Sequence, residues 1–396
     1  MKQITYGKAV YGKSEINAVL KTISKTTQMG KEVELFEKKI SKLFDKKYGI
    51  MTNSGSSALL VAIDSLRLPK KSEVITPCLT FATTVSAIIK NDLIPSFVDV
   101  EKETLCIKVD EIEKKITKNT KAILIPDLIG NISDWVKIKK IAKKYKLKII
   151  HDSADTLGAK INKKSTGSFS DISITSFYGS HVITAAGNGG MICTSEKKLY
   201  TKMRLLRSWG RASSIIDEND LKSRFNIELE GIPYDKKFVF SEIGYQLEPS
   251  ELSAAFGLVQ LKKLNQNINS REINFKKHLS FFSKYPDFFL LPKQLKNTKT
   301  GWLAYPIMLK ENIKFSRKQL QLFLEKKKIQ TRVIFTGNIL RQPGFNKIKC
   351  VGKVNQFPNS DYIMKNGILI GCHHGLKNSE INKMHKSIRE FIKTYN

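Results

Sequence analysis

SITSFYGSHVITAAGNGGMICT, residues 173–194, is a β-branched run that ends in a hydroxyl and an aromatic, turns through His181 and a glycine-bearing loop, and returns as the strand Gly190–Thr194. Gly187, Gly189 and Gly190 suit a backbone that needs positive φ or a close approach. A lone histidine at a strand end is more often a hydrogen-bonded structural residue than a catalyst. Working outward, short β-branched runs alternate with amphipathic stretches from about residue 30 to 210, a pattern of parallel strands joined by helices. Strands are predicted at Tyr48–Thr52, Glu73–Thr76, Ile94–Val98, Lys121–Ile125, Leu147–His151, Ile172–Ser176 and Met191–Cys193. The helix Glu32–Phe44 places Val33, Phe36, Ile40 and Phe44 on one face, and Ser57–Leu66 follows a capping Ser-Gly turn.

Between Ala212 and Glu242 the alternation dissolves, and a long helical run begins near Ser250 after Pro249. Strands and helices resume at Leu303–Leu309, Arg317–Glu325, Thr331–Ile334 and Gly367–Ile370. The class is α/β. A large domain over 1–250 with a mostly parallel sheet is expected, followed over 251–396 by an interdomain helix and a smaller α+β domain.

A net charge of +32 invites a nucleic-acid reading, yet only ten of the 68 basic residues are Arg and the lysines are spread along nearly every segment. Solvated lysine-rich faces are the simpler account, with no nucleic-acid partner expected. A positive field would still speed encounter with an anionic substrate. No apolar stretch approaches the roughly 20 residues of a membrane helix, and MKQITYGKAV lacks a secretory core, so a cytoplasmic protein without membrane contact is expected. The five cysteines, at 78, 106, 193, 350 and 372, are too far apart to suggest a metal site, and none is expected.

Two further segments carry chemistry. NSGSSALL, residues 53–60, joins a strand to a helix, so its N–H groups and hydroxyls can surround a phosphate, although a plain capped turn explains it equally well. In KIIHDSADTLGA, residues 148–159, a strand delivers Asp152 to the carboxyl edge of the sheet, with Asp155 one helical turn on. A carboxylate there can keep a pyridine nitrogen protonated and so make the ring an electron sink, or it can merely cap the next element.

In this order, GKEVELFEKKISKLF, NSGSSAL, PCLTFATT, HDSAD, SFYGSH and GYQLEPSELSAAFGLVQL resemble the DegT/DnrJ/EryC1/StrS family of nucleotide-sugar aminotransferases over essentially the whole chain. The resemblance implies the aspartate-aminotransferase fold and pyridoxal 5'-phosphate (PLP) or its aminated form, pyridoxamine 5'-phosphate. The family's cofactor-binding lysine lies five residues beyond the phosphate-binding serine; counting from Ser176, that place holds His181. Imidazole forms no stable Schiff base but moves protons near neutral pH.

Histidine here resembles a subgroup that removes the 3-hydroxyl of nucleotide-linked 4-keto-6-deoxyhexoses, as do GNILRQPGF at 337–345 and GLKNSEINKM at 375–384. One branch carries an iron–sulfur cluster on cysteines just after a WGR segment. After Ser208-Trp209-Gly210-Arg211 this chain has no cysteine until Cys350, so no cluster is expected and L-glutamate is the expected amino donor.

By the same resemblance Gly55, Ser56 and Ser176 would hold the phosphate, Phe81 would stack on the ring, and Asp152 would pair with the pyridine nitrogen. Asp155 would sit near the phenolic oxygen, and His181 and Asp152 would carry the chemistry. Gln246 stands where an asparagine reaches the phosphate across a homodimer with shared active sites. Glu248 replaces a usually basic residue, and the AAGN turn is one residue longer than the subgroup's. The alternatives are an aminotransferase using His181 or a displaced lysine, a catalytically idle B6- or sugar-binding homologue, and a basic nucleic-acid-binding protein.

Overall fold

A computed structural model describes residues 3–215 and 220–395. Seven strands form the large sheet: β1 (Tyr48–Thr52), β2 (Glu73–Pro77), β3 (Ile94–Val98), β4 (Thr120–Pro126), β5 (Lys148–Asp152), β6 (Ile172–Ser176) and β7 (Gly190–Thr194). Their order is β1-β7-β6-β5-β4-β2-β3, parallel except that β7 runs antiparallel to both neighbours. Period-two alternation sorts the apolar residues onto two covered faces. Leu124, Ile150, Ile174 and Ile192 meet one helix, and Ile123, Ile125 and Ile149 meet Trp135 and Ile138 on the other side.

The first four helices are α1 (Lys13–Ile23), α2 (Lys31–Leu43), α3 (Gly55–Ser65) and α4 (Ala82–Lys90). α3 is the helix against Leu124 and Ile150, buried through Ala58, Leu59, Val61, Ala62 and Ile63. The N-cap of α2 is Gly30, which has no side chain to offer its first amides. Glu251 supplies the acceptor instead, taking the N–H groups of Gly30 at 2.8 Å, Glu32 at 2.7 Å and Val33 at 3.2 Å. The run after Pro249 is two helices, Glu251–Lys262 and Leu264–Phe282.

The second sheet is antiparallel, with β8 (Phe289–Leu290), β9 (Ala304–Leu309), β10 (Arg332–Val333) and β11 (Gly367–Gly371) in the order β8-β9-β11-β10. Its core takes in a residue from the far end of the chain: Ile4 pairs with Ile329 and is buried among Phe282, Ile307, Leu324 and Ile388. The strand expected at 331–334 is shorter because Phe335 turns to φ 43° and leaves the extended region. Asp155 lies in a turn after β5, not one turn into a helix. Positions 216–219 of the cysteine-free stretch ASSIIDENDLKSRF lie outside the described residues. Among the described residues no helix is long and apolar enough to cross a membrane.

Glu251→Ala strips three amides, one of them buried, of their charged acceptor. The expected loss is about 2–3 kcal/mol in urea-midpoint measurements, with Glu251→Gln intermediate.

Candidate active site

The carboxyl ends of β4, β5 and β6 open into a cleft of about 410 Å³. Gly55, Ser56, Phe81, Asp152, Asp155, Ser176 and His181 all line it. Gln246 does not; it is exposed, on a segment bridged to Ser208.

At one end, the first turn of α3 presents the amides of Gly55 and Ser56, which no helical carbonyl can satisfy. Ser54 caps the turn by accepting Ser57 N–H at 3.1 Å. Two glycines bring the surrounding backbone close. A Cβ on Gly55 would stand 2.7 Å from Ser176 Cβ, and one on Gly190 would stand 2.2 Å from Ser54 O. The positive end of α3 and the Ser176 hydroxyl therefore share one wall, a donor set suited to a phosphate.

Asp152 ends β5 with 6 % exposure. Its Oδ1 accepts Ala154 N–H at 3.1 Å, and the Thr84 hydroxyl reaches Oδ2 at 3.4 Å. Burial pushes its carboxyl up to about 6, with Asp155 adding to the rise. No described lysine or arginine pairs with it, so a cationic N–H from a ligand is what this carboxylate lacks.

His181 lies in the turn after β6. Its Nδ1 is 3.1 Å from Ser176 O, which can only accept, so Nδ1 carries the hydrogen. Nε2 is left facing Asp155 Oδ1 at 3.4 Å, and Asp155 Oδ2 accepts Ile129 N–H at 2.9 Å. Ser176 O thus fixes the imidazole's orientation and tautomer, and Nε2 is the nitrogen left to exchange a proton, meeting Asp155 as a donor only when it carries one. Phe81 is 52 % exposed and meets Phe335 edge-on at 6.0 Å, leaving an apolar ring free to cover a flat ligand. No lysine is among the described residues lining the cleft.

Tyr6 and Phe335 also line the cleft, and neither stood out in the sequence. Tyr6 arrives from the far end of the chain, on a segment whose Gly7 lies against Ser180. Phe335 gave one local hint, the following Thr-Gly of a turn. These donors, the buried acid and the bare aromatic ring fit a flat, phosphorylated, pyridine-bearing group held without a covalent bond.

Several known proteins are similar to this chain. The model of the DegT/DnrJ/EryC1/StrS aminotransferase family matches residues 10–389. The chain is 35% identical to the lipopolysaccharide biosynthesis protein RfbH of Salmonella typhimurium, over 92% of this chain and 85% of that one. It is 31% identical to GDP-4-keto-6-deoxy-D-mannose 3-dehydratase of Yersinia pseudotuberculosis, over 92% and 93%. A solved GDP-4-keto-6-deoxymannose-3-dehydratase with a trapped PLP-glutamate geminal diamine superposes with a TM-score of 0.88 at 28% identity, over 97% of this chain and 99% of that one.

Asp152 gives the cofactor-free protein a pH signature. Its folded pKa of about 6 exceeds the ordinary 3.8, so across that window the folded state binds more protons than the unfolded one. Its contribution to stability is therefore lost as pH rises from about 4 to 6. Asp152→Asn should be more stable than the parent at pH 7.5 by up to about 3 kcal/mol, with the difference closing near pH 4. Urea midpoints of the apoproteins across pH check this; a gap that ignores pH would refute it.

Proposed function

The chain belongs to the DegT/DnrJ/EryC1/StrS aminotransferase family, and we propose that it is a vitamin-B6-dependent 3-dehydratase of a nucleotide-linked 4-keto-6-deoxyhexose rather than an aminotransferase. One observation carries the choice: His181 occupies the turn after β6 and no described lysine lines the cleft. Transamination by a lysine shuttle has no group to run on, whereas an oriented imidazole remains.

In this reading the α3 amides at Gly55 and Ser56 and the Ser176 hydroxyl hold the phosphate, Phe81 covers the ring, and Asp152 holds the pyridine N–H. When bound, the cofactor would supply an amine for the sugar's 4-ketone and a ring that accepts electrons. Asp152 sustains that electron demand, because its carboxylate keeps the ring nitrogen protonated. His181 Nε2 removes the proton that the ring has made labile and can return it to the departing 3-hydroxyl. Asp155 accepts from Nε2 once that nitrogen has taken up the proton.

The balance closes with glutamate: 4-keto-6-deoxysugar plus glutamate gives 4-keto-3,6-dideoxysugar, 2-oxoglutarate and ammonia. The sugar loses one oxygen atom. Such a product belongs to deoxysugar and lipopolysaccharide O-antigen biosynthesis in the cytoplasm. The PLP-glutamate geminal diamine trapped in the solved dehydratase supports this donor, as does the absence of cysteine between Arg211 and Cys350.

A homodimer completes the site in this reading. The segment bearing Gln246 also exposes Ile232, Phe238, Phe240 and Ile243, the last at 95 %. A second copy covering those side chains would bring Gln246 to the neighbouring phosphate.

The test is mass spectrometry on GDP-, CDP- and dTDP-linked 4-keto-6-deoxyhexoses with and without glutamate. One substrate should yield a product lighter by one oxygen atom, with ammonia released only when glutamate is present; an amino sugar would establish the aminotransferase instead. His181→Asn should lower turnover by at least about 100-fold while cofactor binding persists.

A further inference from the structure

Helix Leu264–Phe282 buries a stripe that is half polar: Asn267, Arg271, Asn274 and His278 recur at helical spacing among Leu264, Ile268, Phe275 and Phe282. Each polar member reaches a backbone carbonyl. Asn267 Nδ2 donates to Val182 O at 2.9 Å, Asn274 Nδ2 to His373 O at 3.0 Å, and His278 Nε2 lies 3.1 Å from Gly371 O. Arg271, with 0 % exposure, spans both ends of that set. Its Nη2 donates to Ser180 O at 3.0 Å and His181 O at 2.9 Å, and its Nη1 to Trp302 O at 3.0 Å and Leu303 O at 3.4 Å. Its Nε donates to His374 Nδ1 at 3.2 Å.

All five guanidinium N–H groups have acceptors, and every acceptor is neutral. Burial draws its pKa down to about 10, which leaves it charged at neutral pH. A cation sealed among carbonyls is costly unless the geometry it enforces is useful. Lysine has three donors radiating from a point and cannot reproduce the planar fork.

We infer that Arg271 is the positioning residue for His181: by gripping the carbonyls of Ser180 and His181 from the small-sheet side, it sets the height and rotation of the imidazole over the cofactor position. This rests on the B6 reading above. The grip also ties the His181 turn to Trp302 and Leu303, and Leu303 lines the cleft. Movement of the small sheet would therefore drag the base with it.

Chemistry at position 181 can report its own placement. In His181→Lys, added PLP should form a covalent bond with the new amine, seen by absorbance and trapped by borohydride on the peptide containing residue 181. Placing Arg271→Gln or Arg271→Lys on that background should slow trapping by about 10- to 100-fold, the scale expected for an ångström of misplacement. Equal trapping rates with and without Arg271 would overturn the inference. Absence of any adduct in His181→Lys alone would instead count against the B6 reading. Arg271→Lys, which keeps the charge and most of the volume, carries the comparison if Arg271→Gln does not fold.

With His181 retained, Arg271→Lys should lower kcat by a similar factor while the sugar KM changes less than about 3-fold. A fall in melting temperature with kcat unchanged would show a purely structural residue.

Discussion

A carboxylate sealed at the end of a parallel strand stands in conflict with its surroundings until a cation meets it. Asp152 is that group, raised to about 6 by burial, with one backbone amide and a distant hydroxyl as its hydrogen-bond partners among the described residues. The rest of the cleft is arranged around the same unmet demand. The first turn of α3 offers amides for an anion on one side, and Phe81 offers a bare ring above. His181 stands oriented by Ser176 O, with Asp155 beside its Nε2. A ligand that is cationic at one end, anionic at the other and flat between would satisfy all of them together.

The large sheet was legible because both its faces are covered, which forces near-continuous apolar runs such as Ala122–Ile125 and Ile149–Ile150. The cleft residues close to strand ends were legible for the same reason, since topology alone carries Asp152, Ser176 and His181 to one edge. Contacts made over long chain distances left weaker marks. Tyr6 reads as an ordinary tyrosine near the chain's start, and Glu251 as a routine first-turn acid, yet it caps a helix more than 200 residues upstream. Arg271 did leave a trace, a charge in phase with the apolar residues of its helix, but scattered basic residues throughout the chain conceal it.

That helix gives the two sheets a common reference. Apolar contacts alone would let it slide by fractions of an ångström, because dispersion is nearly direction-free. Hydrogen bonds from Asn267, Arg271, Asn274 and His278 to carbonyls on both sides fix its rotation and height. Polar burial here trades some stability for a defined position of the turn that bears the imidazole.

The pairing of Ile4 with Ile329 governs the order in which the protein can be built. Every strand of the large sheet has left the ribosome soon after residue 194, so that sheet can close while synthesis continues. The other core needs Ile4 together with side chains as late as Ile388 and Ile392. Ile4 must therefore wait for side chains made long after the large sheet. Because Tyr6 and Gly7 lie between Ile4 and the His181 turn, the cleft is finished only when Ile4 has joined that core.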